Sequence, residues 1–544
     1  MLRAKKHLFV KRYALSLIAL LLCTTSLLQS LERPRLVIII SIDQMKPEYF
    51  GLYKAWFTGG FKRFLSEGTV YTNADLNYAP SETGPGHAAL GTGTYPQHSG
   101  IVANEWIDHA SGNIRYCVED SSAGAVDGYG GGFSPRDLEV TGIGDWWTKA
   151  YPSARVISAS IKDRAAILMV GKHADQVYWY DEKSGRMVTS DYYLKRMPEW
   201  VQSFNASDWV SHTMPDRWTK LLADSVYARY GPDEMNGEMS TDGSTSFPHL
   251  FKPEKKRNQL SNSPFGDAMI LDFALAAIRS EKLGQRGAPD LLTIGLSCTD
   301  YIGHEYGGNS HEMLDQLIRL DRSLGAFLAN VERLLGKGSI LIALSSDHGA
   351  MPMPEYMNTI EHRSARRIIL KDVIFPKIDD LNLTLQRELG TTERIIRGHN
   401  YLNYAAAARI GLDSLALERR VKDGLRRIDG VAEVYFRRDI LNPANANRPF
   451  VGYFQRGYYP PRGKDFMLLP CEFCLFTTST TGSTHGSPYR YDTHVPIVFW
   501  GKGVSAKNVA RPVHSVDIAP TIAKMLGIVY PSTIDGKALK EIVR

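Results

Sequence analysis

Two short fragments of this 544-residue chain place metal-binding side chains at close spacing: Asp300-Tyr301-Ile302-Gly303-His304 and Ser346-Asp347-His348-Gly349. Asp300 and His304 are four apart, so on a helical turn both lie on one face and can reach one ion. Carboxylate oxygen with imidazole nitrogen is a donor set that zinc accepts. Asp347 and His348 are adjacent and would diverge on a strand. At a bend after a strand they need not, and Gly349 gives the backbone freedom to turn there. A lone Asp or His in a loop is more often a satisfied hydrogen-bonding residue than a ligand. The weight therefore falls on joint placement at strand ends, where α/β proteins keep their chemistry. Asp43, which follows the apolar run 35–42, and His485, which precedes the run 495–500, complete the ligand set of a dinuclear site. His87, His98 and His494 lie near these fragments and are read as packing or supporting residues.

A hydroxyl stands close to these ligands in sequence pattern. Thr83 is followed by Gly84, Pro85, Gly86 and then helix formers, the layout of a helix start. Backbone N–H groups and the helix dipole there favour anions. A threonine hydroxyl becomes a nucleophile only when a base or a metal stabilises its alkoxide. On its own, without the metal ligands, Thr83 reads better as an N-cap; Ser81 is the nearest competing hydroxyl, but Thr83 abuts the glycine-proline turn.

Elements of the right kind exist to position these residues. The β-branched run 35–42 has the length of a buried strand, and similar runs recur at 154–159, 290–296, 339–344 and 495–500. Helical spacing of apolar residues marks 54–66, 267–281, 313–335 and 518–526. Strands alternating with helices predict an α/β fold with a mainly parallel central sheet covered by helices on both faces. Two stretches fit that rhythm poorly. Residues 198–264 are rich in Trp, Tyr, Pro, Ser and Asn, and 352–470 hold a smaller alternation of helix (415–427) and strand (432–436). The first is read as an insert. The second is read as an inserted cap subdomain, because the core strand before it ends in Asp347-His348 and the next begins after His485. No internal repeat is present.

The first thirty residues carry Arg3, Lys5, Lys6, Lys11 and Arg12 without an acid, then an apolar run at 14–22, then small and polar residues. That pattern predicts a secretory signal peptide over 1–30, too short in its apolar part for a spanning helix. Cys23 as an acylated cysteine is the less favoured alternative, because Leu22 is bulky. Without the leader the formal charge falls from +6 to +1, so neither nucleic acid nor a membrane surface is implied as a partner. Four cysteines remain: Cys117, Cys298, Cys471 and Cys474. Cys471-x-x-Cys474 suits a local disulfide better than a zinc knuckle, since no second pair accompanies it. Cys298 is read as a buried thiol.

The chain resembles the phosphate-irrepressible alkaline phosphatases of the alkaline phosphatase superfamily, which are secreted bacterial enzymes. The resemblance is carried by Thr83-Gly-Pro-Gly-His, Gly100-Ile-Val-Ala-Asn104-Glu-Trp, Ser160-Ile-Lys162-Asp-Arg164, Thr299-Asp300-Tyr-Ile-Gly-His304, Asp347-His348-Gly349 and Thr484-His485-Gly-Ser-Pro-Tyr. It runs in order over nearly the whole chain after the leader. It implies two zinc ions, one held by Asp300, His304 and His485 and one by Asp43, Asp347, His348 and the Thr83 oxygen. It further implies that Asn104, Lys162 and Arg164 bind the phosphoryl oxygens. The expected activity is hydrolysis of small phosphate monoesters through phosphothreonine, in the periplasm or outside the cell. Glu82 and the Cys471/Cys474 pair lie outside the family pattern.

Charge supports the same substrate class. Three carboxylates and one alkoxide balance two dications, and a dianionic monoester then meets Lys162 and Arg164, whereas a diester would leave one cation unpaired in a poorly solvated site. A nucleotide pyrophosphatase or phosphodiesterase on the same fold is the nearest alternative. A sulfatase is disfavoured by the lack of a Cys-x-Pro-x-Arg or Ser-x-Pro-x-Arg motif. A non-catalytic periplasmic binding protein would need no threonine poised at a helix start.

Overall fold

A computed structural model describes residues 33–543, apart from 110, 240 and 241. The leader 1–30 lies outside the described residues. Among the described residues the main sheet has ten strands. Across it the order is Lys507–Val509, Thr69–Asp75, His494–Gly501, Ile340–Ser345, Leu36–Ile42, Asp290–Leu296, Val156–Ser160, Gln176–Asp181 and Arg186–Val188, with Val513–His514 pairing to Thr69–Asp75. The five strands from Ile340–Ser345 to Gln176–Asp181 are mutually parallel. The fold is α/β and mostly parallel, as its alternating pattern requires.

Leu36–Ile42 explains why. Every residue of LVIIISI is buried, and successive side chains on a strand point to opposite faces. Leu36, Ile38, Ile40 and Ile42 join one apolar cluster, with Met269, Phe273, Leu317 and Leu324 from helices Pro264–Ser280 and His311–Leu335. Val37 and Ile39 join the other, with Trp147, Ile167, Leu90 and Ile522 from helices on the opposite face. A strand fed from both sides in this way reads as continuously apolar.

Two local expectations are corrected. Helix 54–66 is interrupted: a short 3₁₀ turn covers Lys54–Trp56 and the α-helix is Gly60–Glu67. The reason is close approach, since a Cβ on Gly59 would meet the Asp321 carbonyl oxygen and one on Gly60 the Leu324 side chain. The last long strand, His494–Gly501, runs antiparallel to both of its neighbours. Its beginning therefore sits at the edge where the parallel strands end, which is how His485, ahead of a strand, reaches residues that follow strands.

Residues 198–264 pack onto the sheet: Val201, Val210, Trp218, Tyr227 and Phe251 belong to the first cluster. Residues 368–474 form a core of their own, with Ile374, Ile378, Leu417, Val421, Val434 and Phe466 at its centre. It holds helix Ser414–Leu425 and the antiparallel pair Val431–Phe436 with Phe466–Pro470. Cys471 and Cys474 are joined by a disulfide; Cys117 and Cys298 are free and buried.

Candidate active site

Each strand end delivers one piece. Asp43 follows Leu36–Ile42, Lys162 and Arg164 follow Val156–Ser160, Asp300 and His304 sit in helix Cys298–Tyr306 after Asp290–Leu296, and Asp347 and His348 follow Ile340–Ser345. Asp300 Oδ1 and His304 Nε2 are 3.2 Å apart on one helical face. His348 Nε2 lies 3.4 Å from an oxygen of Asp43 and 3.4 Å from one of Asp347. The ligand atoms of Asp300, His304 and His485 all fall within 4.8 Å of one another, and so do those of Asp43, Asp300 and His348. Asp300 is thus common to both groups, and Asp347 flanks the second.

The histidines are preset as metal ligands. Nδ1 of His304 faces the Ser483 carbonyl at 2.8 Å, that of His348 the Gly349 carbonyl at 2.9 Å, and that of His485 the Ser81 carbonyl at 2.7 Å. A carbonyl only accepts, so Nδ1 carries a proton in each ring and Nε2 is the nitrogen turned toward the carboxylates. Burial, and then His348, holds His485 well below its ordinary pKa, which keeps that ring neutral.

The carboxylates call for positive charge. Burial and the neighbouring Asp300 and Asp347 push Asp43 up to about 7. Asp43 Oδ1 and Asp347 Oδ2 are buried and receive no hydrogen bond. Crowded, desolvated carboxylate oxygens beside imidazole nitrogens are what a pair of divalent cations would satisfy, and the residues present fit metal ions. Lys162 supplies part of the compensation, its Nζ 2.6 Å from Asp43 and 2.5 Å from Asp300. Burial opposes its charge, yet the two carboxylates hold its pKa above the usual value.

Thr83 is the first residue of helix Thr83–Thr92, and Glu82 holds the cap position. Its Oγ1 lies 3.4 Å from His348 Nε2 and 3.4 Å from Arg164 Nη2. Ser81 is committed elsewhere, its hydroxyl donating to Ser487 and its carbonyl holding His485. Gly84 N–H donates to Asn104 Oδ1 at 2.7 Å, which holds the Asn104 side chain beside the helix start. The Asn104 N–H donates in turn to Glu82 Oε2 at 2.7 Å. His87 lies under the site against the Thr83 carbonyl, while His98 and His494 pair with Asp535 and Glu48.

Three participants escaped the sequence. Gln44, at φ 63°, donates from its side chain to Asp300 and from its backbone to Asp347. Its amide passes where a Cβ on Gly303 would lie, so Gly303 was the one available cue. Tyr116, in the hairpin Glu105–Ile107 with Ile114–Tyr116, accepts from Arg164 and donates to Asp163 at 2.5 Å. Tyr301 places its ring 4.9 Å from Lys162 Nζ. Gly349 has a different role from the one expected: its φ is not positive, and a Cβ there would meet the Tyr491 carbonyl oxygen.

Residues 37–464 match the family described as type I phosphodiesterase / nucleotide pyrophosphatase. The chain is 34% identical over 526 residues to alkaline phosphatase PhoV of Synechococcus elongatus, covering 95% of this chain and 94% of that protein. It is 32% identical to alkaline phosphatase PafA of Elizabethkingia meningoseptica, covering 94% and 95%. The chain belongs to this family. The crystal structure of wild type PafA superposes with a TM-score of 0.86 at 30% identity, covering 94% of this chain and 99% of that one. Murine ectonucleotide pyrophosphatase / phosphodiesterase 5, at 13% identity and a TM-score of 0.51, shares the fold alone. Within the family this chain is an alkaline phosphatase, a phosphomonoesterase.

Proposed function

We propose that this phosphatase cleaves phosphate monoesters by attack of Thr83 on phosphorus, giving a phosphothreonine that water then hydrolyses, with two zinc ions as cofactors. The observation that carries the reading is Thr83 Oγ1 at a helix start, within 3.4 Å of both a cluster histidine and the Arg164 guanidinium. Asp300, His304 and His485 would hold one ion, and Asp43, Asp347 and His348 the other, with Asp300 near both. When bound, the ions supply Lewis acidity at the nucleophile and at the departing oxygen. Arg164, fixed by Tyr116, and Asn104, oriented by Gly84 and Glu82, stabilise the equatorial phosphoryl oxygens, where electrostatics carry most of phosphoryl-transfer catalysis. Lys162 adds a second cation from beside Asp43 and Asp300.

That pair of cations favours a dianion over a monoanion and separates this reading from a phosphodiesterase. The test compares nitrophenyl phosphate with methyl nitrophenyl phosphate on the metal-loaded protein. Preference for the monoester by about 10²-fold or more in kcat/KM is expected; preference for the diester would replace this reading by the phosphodiesterase one. We read 198–264 as an insert and 352–470 as an inserted cap beside the site. The leader-like first thirty residues and the Cys471–Cys474 disulfide support a periplasmic or secreted location. No helix among the described residues is long and apolar enough to cross a membrane.

A further inference from the structure

Beside the site lies a cavity of about 320 Å³, large enough for a small organic group. Its walls come from two places. Glu82 and His485 form one end, next to the nucleophile and within the Asp300/His304/His485 group. Ile374, Phe375, Leu468 and Phe476, all from the smaller core region, form the other. Apolar walls with a few polar groups among them, Lys464 included, are the arrangement that orients a ligand.

The apolar wall is fixed in place. Ile374 ends a π-helical turn, Leu370–Ile374, a conformation that recurs at functional sites. The Phe375 ring stacks on His399 with centroids 3.9 Å apart and planes 8° from parallel. Thr83 stands next to His348, whose ring stacks on His485 with centroids 3.5 Å apart, and His485 lines the cavity, so the cavity adjoins the reacting centre. Glu82 stands in that lining with its carboxylate engaged by the Asn104 N–H, and Lys464 lines the cavity as well, so the charges there offset one another and the apolar walls set the preference.

We infer that this cavity binds the organic group of the phosphate monoester and selects an apolar chain or ring long enough to reach its walls over a short one. The inference rests on the phosphomonoesterase reading. The experiment measures kcat/KM of the zinc-loaded full chain on methyl, butyl and octyl phosphate. The leaving alcohols are nearly equal in basicity, so the chemistry is held constant while burial changes. Each methylene that enters the cavity should raise kcat/KM about three- to fourfold until the space is filled.

Two variants that narrow the space, Ile374→Trp and the milder Leu468→Phe, should each cut the octyl-to-methyl ratio. The ratio cancels any general loss of folded enzyme. A flat chain-length series, or a ratio unmoved in both variants, overturns the inference and leaves the phosphomonoesterase reading standing. Release of no alcohol from any member overturns both.

Discussion

The edge of the central sheet and the cap region are stabilised by different means. Leu36–Ile42, Asp290–Leu296 and Ile340–Ser345 are buried along their whole length, and the loops that follow them carry Asp43, Asp300, Asp347 and His348, which are also buried. Residues 352–470, the region proposed above as a cap, have a compact centre but wear exposed ion pairs, Arg366–Asp429, Arg394–Asp379 and Arg409–Glu393. Pairs of that kind are screened by solvent and add little to stability. The sheet edge therefore holds its constellation in a buried, apolar frame, while residues 368–474 supply apolar walls of the neighbouring cavity. Changes at the edge should alter the rate for every substrate, and changes in the cap should alter their ranking.

The largest effect is expected at Thr83. Thr83→Ala should lower turnover on the order of 10⁴-fold or more for all monoesters alike, while metal analysis still finds the ions and the melting temperature stays within a few degrees. A variant that kept turnover would remove Thr83 as nucleophile. Next comes Arg164→Ala, expected to cost about 10²- to 10³-fold on monoesters and less on a diester, because one cation then faces the phosphoryl group instead of two. Tyr116→Phe should reproduce a small part of that loss through kcat, since it frees the guanidinium without removing its charge. Equal losses on mono- and diester would deny Arg164 its role in charge selection.

Much of this edge was legible in the chain. Asp300 and His304 declare themselves by i, i+4 spacing, and the apolar runs announce the strands that carry Asp43 and Asp347. The fold class followed from alternation of strands and helices. What could not be read depends on distance in space. Sharing of Asp300 between two ligand groups follows from how the strand ends converge, and no spacing records it. Gln44 acts through a left-handed backbone at a residue type with no metal-site signature. The antiparallel direction of His494–Gly501 is invisible in its apolar pattern, which is the same whichever way a buried strand runs. Glu82 stood out as unusual beside the nucleophile, but its use as the anchor of Asn104 needed the fold.

Packing offers a third contrast. Leu344→Ala in the sheet and Leu417→Ala in the cap each remove a fully buried side chain, and each should cost about 2 to 5 kcal/mol. The consequences should differ. Leu344→Ala should lower the main thermal transition, with the relative kcat/KM of methyl and octyl phosphate unchanged. Leu417→Ala should loosen the cap and reduce the preference for the longer chain. If the two variants changed substrate ranking equally, the division between an edge that reacts and a cap that selects would fail.

The smallest effect concerns alkaline pH. In the cap, Arg409 and Arg366 hold Glu393 and Asp429 below the usual carboxylate range through side-chain hydrogen bonds, so both are ionised, folded or unfolded, well before neutrality. They give no slope of stability at higher pH. On the sheet side, burial first, then Glu312 and Asp233, raises Glu238 from 4.5 to about 9. Between those values the folded chain keeps a proton that the unfolded chain has released. Stability is then complete below about pH 4.5 and declines as pH climbs toward 9. Glu238→Gln keeps the acceptor for the Met235 N–H and removes the titration. Its melting temperature should match the parent at pH 5 and exceed it by about 2 °C at pH 9, measured by calorimetry on the metal-loaded protein. A variant equally stabilised at both values would place the slope on some other group, and one stabilised only at pH 5 would reverse the assignment to the sheet side.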